Sequence, residues 1–490
     1  MGALYLALIV GALTTLYPFL VMLMTGFKGP TDQDDNQLVP AFWSDTNQLE
    51  EKYLYDKYAG DISRIDSTRV GGEASQEDVE RYREMLESLS PMDWQAGFRN
   101  PPNNITSRLT QRWQAWLREK WDDDIDQLNA AYSELNLAFQ TVSAPNEVLD
   151  REGWVPAEGN KWSDWLEFKN GLPAEYRVPI RTQRIMQEAL RSEYQGQISE
   201  VPSELRGDAE FFEQIELNET TLAYIQANVA RDLNTTIEFL WDPTLSTAPP
   251  IEAFERDHLA VNKTAVATEM STRNYRYVID YMLLHGIALR NTVIFCLLAI
   301  LAQLTVNPLA AYALSRFPMK ATARVLVFLL ATMAFPAEVA MIPSFLLLKH
   351  LGLLNTFAAL VLPTAANGYM IFLLKGFFDS LPREVFESGQ IDGAKESTMM
   401  MKLAFPLSKP VMGYLGLLAF MGAYGAFLYA FLVAQDQKVW TIMVFIYQLQ
   451  QIAPKSVMMA AITLAAIPSI LVFLAAQRVI MRGIVLPSER

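Results

Sequence analysis

The feature that most constrains this chain is a set of long stretches without a charged side chain. A bilayer crossing needs about 20 mostly apolar residues. Residues 1–27, 291–315, 350–374, 410–435 and 456–477 carry no Asp, Glu, Lys or Arg, and a further stretch, 325–348, is interrupted only by Glu338. These runs predict six transmembrane helices, one at the N-terminus and five after residue 285. The charges divide the same way: residues 1–285 hold 25 Lys+Arg against 46 Asp+Glu, and residues 286–490 hold 15 against 8. So acidic a soluble part argues against nucleic acid as a partner. A single cysteine, Cys296, leaves no intramolecular disulfide and no cysteine-based zinc site.

The first run reads as a retained anchor. It lacks a basic leading region, no cleavage site precedes Lys28, and its apolar run exceeds the about 7–15 residues of a signal-peptide core. Positive charges set the orientation. Arg316, Lys320 and Arg324 crowd the loop after the second run, and Arg478, Arg482 and Arg490 come after the last. Both termini and the 376–409 loop are therefore expected in the cytoplasm. Residues 28–285, the 349–356 connection and the 435–456 loop are expected outside.

The expected architecture is an all-α polytopic membrane protein: transmembrane helix 1 over 1–27, an extracytoplasmic inserted domain over 28–285, and a membrane core over 286–490 with a connecting loop at 381–410. The insert is long enough to build its own core and holds nine of the ten tryptophans. Its local signals are helical, with weak strand signals, so it reads as mainly helical, α or α+β. Ser75 and Asp78 form a capping-box pair ahead of Val79, Tyr82, Met85, Leu86 and Leu89. Leu109, Trp113, Trp116, Leu117 and Trp121 continue through Ile125, Leu128, Tyr132 and Leu135, and a third run holds Ile180, Ile185, Met186, Leu190 and Tyr194. The tryptophans fit either core packing or stacking on sugar rings. Hydrolysis of a glycan would need a carboxylate pair, and 46 acidic side chains make candidate pairs uninformative.

One segment between the fourth and fifth runs carries a specific message: Glu387-Ser388-Gly389-Gln390-Ile391-Asp392-Gly393-Ala394, then Leu403-Ala404-Phe405-Pro406. It resembles the cytoplasmic coupling loop of ABC-importer permeases, whose pattern is EAA, three residues, Gly, nine residues, then a hydrophobic residue before x-Leu-Pro. Ser388 and Gly389 stand where the pattern has alanines, and Phe405 where it has leucine. The maltose-permease-like branch is also echoed by Arg290-Asn291-Thr292, by Ala310 to Phe317, by Ile342-Pro343 and by Leu351 to Thr356. The resemblance covers about residues 286–485 and leaves the insert unexplained. It implies a permease subunit of an ATP-binding-cassette importer for sugars or oligosaccharides. Its implied partners are two ATPase subunits, a second permease, homologous or identical, and an extracytoplasmic solute-binding protein. The implied contact residues on the ATPase side are Glu384, Glu387, Ser388, Gly389, Asp392, Gly393, Ala394, Leu403 and Pro406. Physically, such a loop needs a docking face and a helix break on each side, and Pro382 and Pro406 are the expected breaks.

No phosphate-binding G-x-x-x-x-G-K-[ST] occurs, so the chain is expected to bind no cofactor of its own; ATP and Mg belong to the partner. Three histidines in all leave little scope for catalysis, and no enzyme activity is expected. Glu338 is the one carboxylate inside a run, and intramembrane charges face cavities or partners. Glu338, Asn307 and Asn367 are candidates for the translocation path, with Pro308 and Pro363 marking helix breaks. By resemblance, Trp440, Tyr447 and Gln448 lie in the loop that meets the binding protein. The alternative function is a membrane-anchored ectodomain protein for glycan binding or hydrolysis.

Overall fold

The computed structural model describes residues 2–61, 65, 74–99, 108–136, 138–151, 154–224, 227, 249–284, 286–317, 320–334 and 336–483. Trp241 and Arg490 lie outside them. The chain divides into two compact units, 1–277 with 452–460, and 278–451 with 461–490.

In the first unit the helix Gly2–Thr25 is apolar on every side, with Pro18 inside it. Its most apolar stretch is exposed on this chain, as suits a helix solvated by lipid, and only its end at Thr25 is buried. Its exit is tied to the last helix of the insert, Ile251–Val278. Tyr275 donates its hydroxyl to the Leu23 carbonyl at 2.8 Å, and Asn274 donates its amide to the carbonyls of Gly26 and Lys28 at 3.0 and 2.6 Å.

The insert is mainly helical. Its one described ribbon pairs Trp94–Ala96 antiparallel with Arg177–Pro179. Trp94, Trp113, Trp165, Tyr53, Tyr82 and Tyr176 are fully buried in its core. The capping box forms at the start of Gln76–Ser88: Ser75 Oγ accepts from the Asp78 N–H, and Asp78 accepts from the Ser75 N–H. Val79, Tyr82, Met85 and Leu86 face inward as their spacing requires. The expected continuous run from Leu109 to Leu135 is broken. Two helices, Arg108–Lys120 and Ile125–Tyr132, flank a turn in which Asp122 and Asp123 adopt left-handed backbone and Asp124 caps the second helix. Three successive aspartates favour local turn and cap bonds over helix continuation. Leu135 falls beyond the second helix and is 98% exposed.

In the second unit the expected runs fold less simply than six straight helices. By length and composition, four described helices of the chain can cross a bilayer: Leu4–Thr25, Ala288–Arg316, Glu396–Tyr424 and Lys455–Gln477. Phe357–Thr364 and Gly368–Asp379 make a pair bent by 50° that counts as a fifth if taken together. The 325–348 run is two helices, Thr322–Met333 and Ala337–His350, divided before Pro336. Pro336 is the N-cap of the second of them, a place where its missing N–H leaves no donor unpaired.

Two prolines act differently from their sequence expectation. Pro308 lies inside Ala288–Arg316 without breaking it. Pro406 starts no new helix either, because backbone helicity is continuous from Glu396 through a π-helical stretch, Met400–Ala404, into Phe405–Tyr424. A proline ring crowds the carbonyl four residues back, and the wider π turn just ahead makes room for it. The 435–456 segment is no open loop, since Ile442–Gln450 is helical.

Candidate functional site

The helix Arg383–Ile391 starts at Pro382, whose fixed φ suits a helix start and whose missing N–H removes a donor that the first turn would leave unpaired. It ends in a Schellman closure. Ala394 N–H donates to the Gly389 carbonyl at 2.9 Å, and Gly393 N–H to the Gln390 carbonyl at 3.0 Å. Gly393 sits at φ +73°, the left-handed position that this closure demands and that a side chain resists. The helix break on this side therefore lies at Gly393 and not at Pro406.

The helix has two faces. Phe386 is buried, and Gly389 lies against Met399 and Leu403, where a methyl group would fit only tightly. Glu384, Glu387, Ser388 and Ile391, at i, i+3, i+4 and i+7, are all exposed. Asp392, Gly393 and Pro406 are exposed too, and Ala394 and Leu403 are half-buried. Ile391 is 86% exposed, an apolar knob ringed by carboxylates. Such a mixture of one apolar contact and surrounding charge is the make-up of a docking surface.

Side chains at the end of Ala288–Arg316 strap this helix to the spans. The Arg316 guanidinium lies 3.5 Å from the centre of the Phe386 ring, and it donates to the Phe378 carbonyl at 2.8 Å. Ser315 donates to Asp379 at 2.7 Å, and Tyr312 to Glu396 at 3.0 Å. One helix end thus grips the short helix and both of its flanking helices. Cation–π contacts of this kind are worth about 0.5–2 kcal/mol.

Of the three residues singled out for a path, the structure brings two together. Asn307 is wholly buried. Its side-chain oxygen accepts from the Asn367 N–H at 2.8 Å, and its amide donates to the Gln303 carbonyl at 2.9 Å. Asn367 in turn caps Gly368–Asp379 by accepting from the Met370 N–H. The pair latches the 50° bend to the neighbouring helix. A cavity of about 760 Å³ opens beside it, lined among others by Gln303, Ser344, Asn367 and Tyr429. Glu338 lies apart from that lining and is exposed on this chain.

The 435–456 segment is held by the start of Ala288–Arg316. Asn291 donates to the carbonyls of Lys438 and Trp440 at 2.9 and 3.1 Å, and Thr292 accepts from the Ile442 N–H at 2.8 Å. Trp440 is half-buried, while Tyr447 packs on Phe427 and Phe431 with ring centres 5.1 and 5.0 Å away. Gln448 is half-buried on the same helix.

Sequence reasoning missed Ile391, Phe386 and Arg316 as functional. Phe386 and Gly389 at i and i+3 were the available signal for the buried face. The partnership of Arg316 with Phe386 spans too many residues for any local pattern to reveal.

The family described as binding-protein-dependent transport system inner membrane component matches residues 307–485. A polygalacturonan/rhamnogalacturonan transport system permease protein of Bacillus subtilis is 28% identical over 46% of this chain and 84% of its own length. A trehalose/maltose transport system permease protein of Thermococcus litoralis is 29% identical over 48% and 86%. An sn-glycerol-3-phosphate transport system permease protein of Yersinia pestis is 32% identical over 41% and 73%.

Proposed function

Because the chain belongs to the family of binding-protein-dependent transport system inner membrane components, we propose that it is the transmembrane subunit of an ATP-binding-cassette importer for sugars or oligosaccharides. The observation that carries the coupling step is the short helix Arg383–Ile391. It offers Glu384, Glu387, Ile391 and Asp392 outward while its other face is strapped to the membrane helices. In this reading ATP and Mg are bound by two partner ATPases, this chain performs no hydrolysis, and a second permease completes the channel. ATPase closure pushes the docked helix, and Arg316, Tyr312 and Ser315 pass the displacement to Ala288–Arg316. The Asn307–Asn367 latch and the cavity beside it lie on the path of that movement. A solute-binding protein delivers cargo from outside to a surface that includes Trp440, Tyr447 and Gln448.

Six crossings result if each broken pair counts as one span, with both termini cytoplasmic and residues 28–285 extracytoplasmic in a bacterial inner membrane. Lys455 bonds Asp34 at 2.7 Å, and the Ser456 N–H donates to Gln33 at 3.1 Å, which supports placing the insert and the start of the last span on one side. The sugar assignment draws on the relatives named for polygalacturonan/rhamnogalacturonan transport and for trehalose/maltose transport.

The test is purification of the tagged protein from its native membranes in mild detergent, with wild type compared with Glu387→Ala, Ile391→Glu and Gly393→Pro. A P-loop ATPase should accompany wild type and be depleted in all three. Absence of any ATPase from the wild-type preparation sinks the assignment.

A further inference from the structure

The insert contains a cleft that transport through the membrane core does not use, and we propose that it binds a short neutral oligosaccharide. The class of ligand rests in part on the proposed sugar-importer function. The cleft, about 720 Å³, lies between the helix Arg108–Lys120, the segment from Gln140 to Asn146, and the start of Asn160–Asn170. That volume falls within the range of about 300–1,000 Å³ typical of small-molecule sites.

Two tryptophans line it. The rings of Trp154 and Trp162 lie 5.6 Å apart between centres and 62° out of parallel, so they form an apolar corner. Trp162 joins the core of the insert, and Trp154 is only half-buried. These differ from Trp94, Trp113 and Trp165, which are buried wholly and serve as core. A flat indole beside a polar wall suits the carbon–hydrogen face of a pyranose, whose hydroxyls then point to the wall. Here the wall is made of amides, hydroxyls and the Glu158 carboxylate. The Gln114 amide is fixed by donating to the Gln140 carbonyl at 2.8 Å, so this part of the wall is set before a ligand arrives.

The charges decide between neutral and acidic sugars. Both cations in the lining already face carboxylates: Arg99 lies 3.3 Å from Glu147, and Lys161 2.7 Å from Glu134. Glu147 also pairs with the buried Lys169, so three cations stand against Glu147, Glu134 and Glu158, and the cleft offers a uronate no surplus positive charge.

Binding is measured by calorimetry on the full chain in lipid nanodiscs, with maltotetraose, cellotetraose and tetragalacturonate as probes. A neutral tetrasaccharide should bind wild type, at least tenfold more weakly in Trp154→Ala, with partial recovery in Trp154→Phe. Glu158→Gln, an exposed position that spares the fold, should also weaken binding. No binding of any probe, or binding that Trp154→Ala and Glu158→Gln leave unchanged, overturns the site. Tighter binding of the uronate than of either neutral sugar overturns the charge argument. Because no ATPase is needed, failure here is separate from failure of ATPase co-purification.

Discussion

Inside the insert, three ion pairs are buried almost completely. Lys169 meets Glu147 at 2.5 Å with both side chains 0% exposed, Arg273 meets Asp56 at 2.5 Å, and Lys57 meets Glu255. Among the described residues of 286–451, the buried polar side chains are instead amides and hydroxyls: Asn291, Thr292, Gln303, Asn307, Ser408 and Thr441. A charge stranded in lipid has no water to retreat to. A neutral amide can be satisfied by one or two backbone groups, as Asn291 and Asn307 are. In water a badly placed charge in the unfolded chain is solvated, and a buried pair with close geometry is tolerable. The insert thus buries charged pairs as well as neutral amides such as Gln114 and Asn274, whereas the described residues of 286–451 bury neutral polar groups alone.

The largest expected effect tests the insert half of this contrast. Lys169 also donates to the Trp94 carbonyl at 2.6 Å, and burial holds its ammonium below the ordinary lysine pKa. Lys169→Met leaves the buried Glu147 with only the more distant Arg99, at 3.3 Å, as counter-charge, and should destabilise the insert by about 3 kcal/mol. Thermal unfolding followed by tryptophan fluorescence reads the insert almost alone, since nine of the ten tryptophans lie there. Adding Glu147→Leu should restore much of the loss. A single variant that melts like wild type breaks the contrast.

The membrane half turns on Asn307. Replacing it with leucine strands the Asn367 N–H at a helix bend, an expense of about 1–3 kcal/mol. The fraction of protein surviving a heat step in detergent should fall, while the fluorescence melt of the insert stays put. Equal loss in both readouts contradicts independent ordering.

Arg316→Ala is expected to weaken the strap by about 1–2 kcal/mol. Its distinguishing sign is functional: the ATPase should still co-purify, because the docking face is intact, yet solute uptake per ATP hydrolysed should drop. Loss of ATPase binding instead assigns Arg316 to folding of the short helix.

How much of this was readable in the residues differs between the same two regions. The uncharged runs at 1–27, 291–315, 410–435 and 456–477 marked the four helices long and apolar enough to cross a bilayer, since lipid imposes a composition of its own, while 350–374 and 325–348 fold as broken helices. The spacing from Glu387 to Gly393 marked the short helix and its turn, because the Schellman closure is local. Where helices break was harder. Pro406 read as a stop and is absorbed by a π turn, while Asp122 to Asp124 interrupt a run whose apolar spacing continues past them. The cleft was legible only as tryptophans that could stack on sugar rings: Gln114 and Trp154 are far apart in sequence and meet only through the fold.

The contrast also predicts which region responds to mild acid. His258 is buried in the insert, stacked on Tyr53 with ring centres 5.8 Å apart, and its Nε2 has no hydrogen-bond partner among the described residues. Burial holds its imidazole below the ordinary histidine pKa. The folded chain then takes up the proton less readily than the unfolded one. The stability it contributes is complete above about pH 6.5 and is lost as the pH falls through the lower folded value. Melting of the insert should decline from pH 7 to 5, and His258→Phe should flatten that decline. A slope unchanged by the substitution places the titration elsewhere.

The smallest expected effect concerns Gly389, of the two positions where the short helix departs from the alanines of the coupling-loop pattern the one with the larger loss of helix propensity. Glycine in a helix costs about 1 kcal/mol against alanine, so Gly389→Ala gains on propensity. The added methyl would meet Leu403 Cδ1 at 3.3 Å and Met399 Sδ at 3.4 Å, slightly closer than side chains normally approach. Both are ends of flexible side chains that can give way, so the two terms nearly cancel, and heat survival in detergent should change by less than about 1 kcal/mol. Gly389→Val adds two further carbons against the same neighbours and should lift the helix from its bed. ATPase co-purification retained in the alanine variant and lost in the valine variant shows that the packing under the helix, and not its backbone flexibility, holds the docking face in position. Loss in the alanine variant reverses that order of importance.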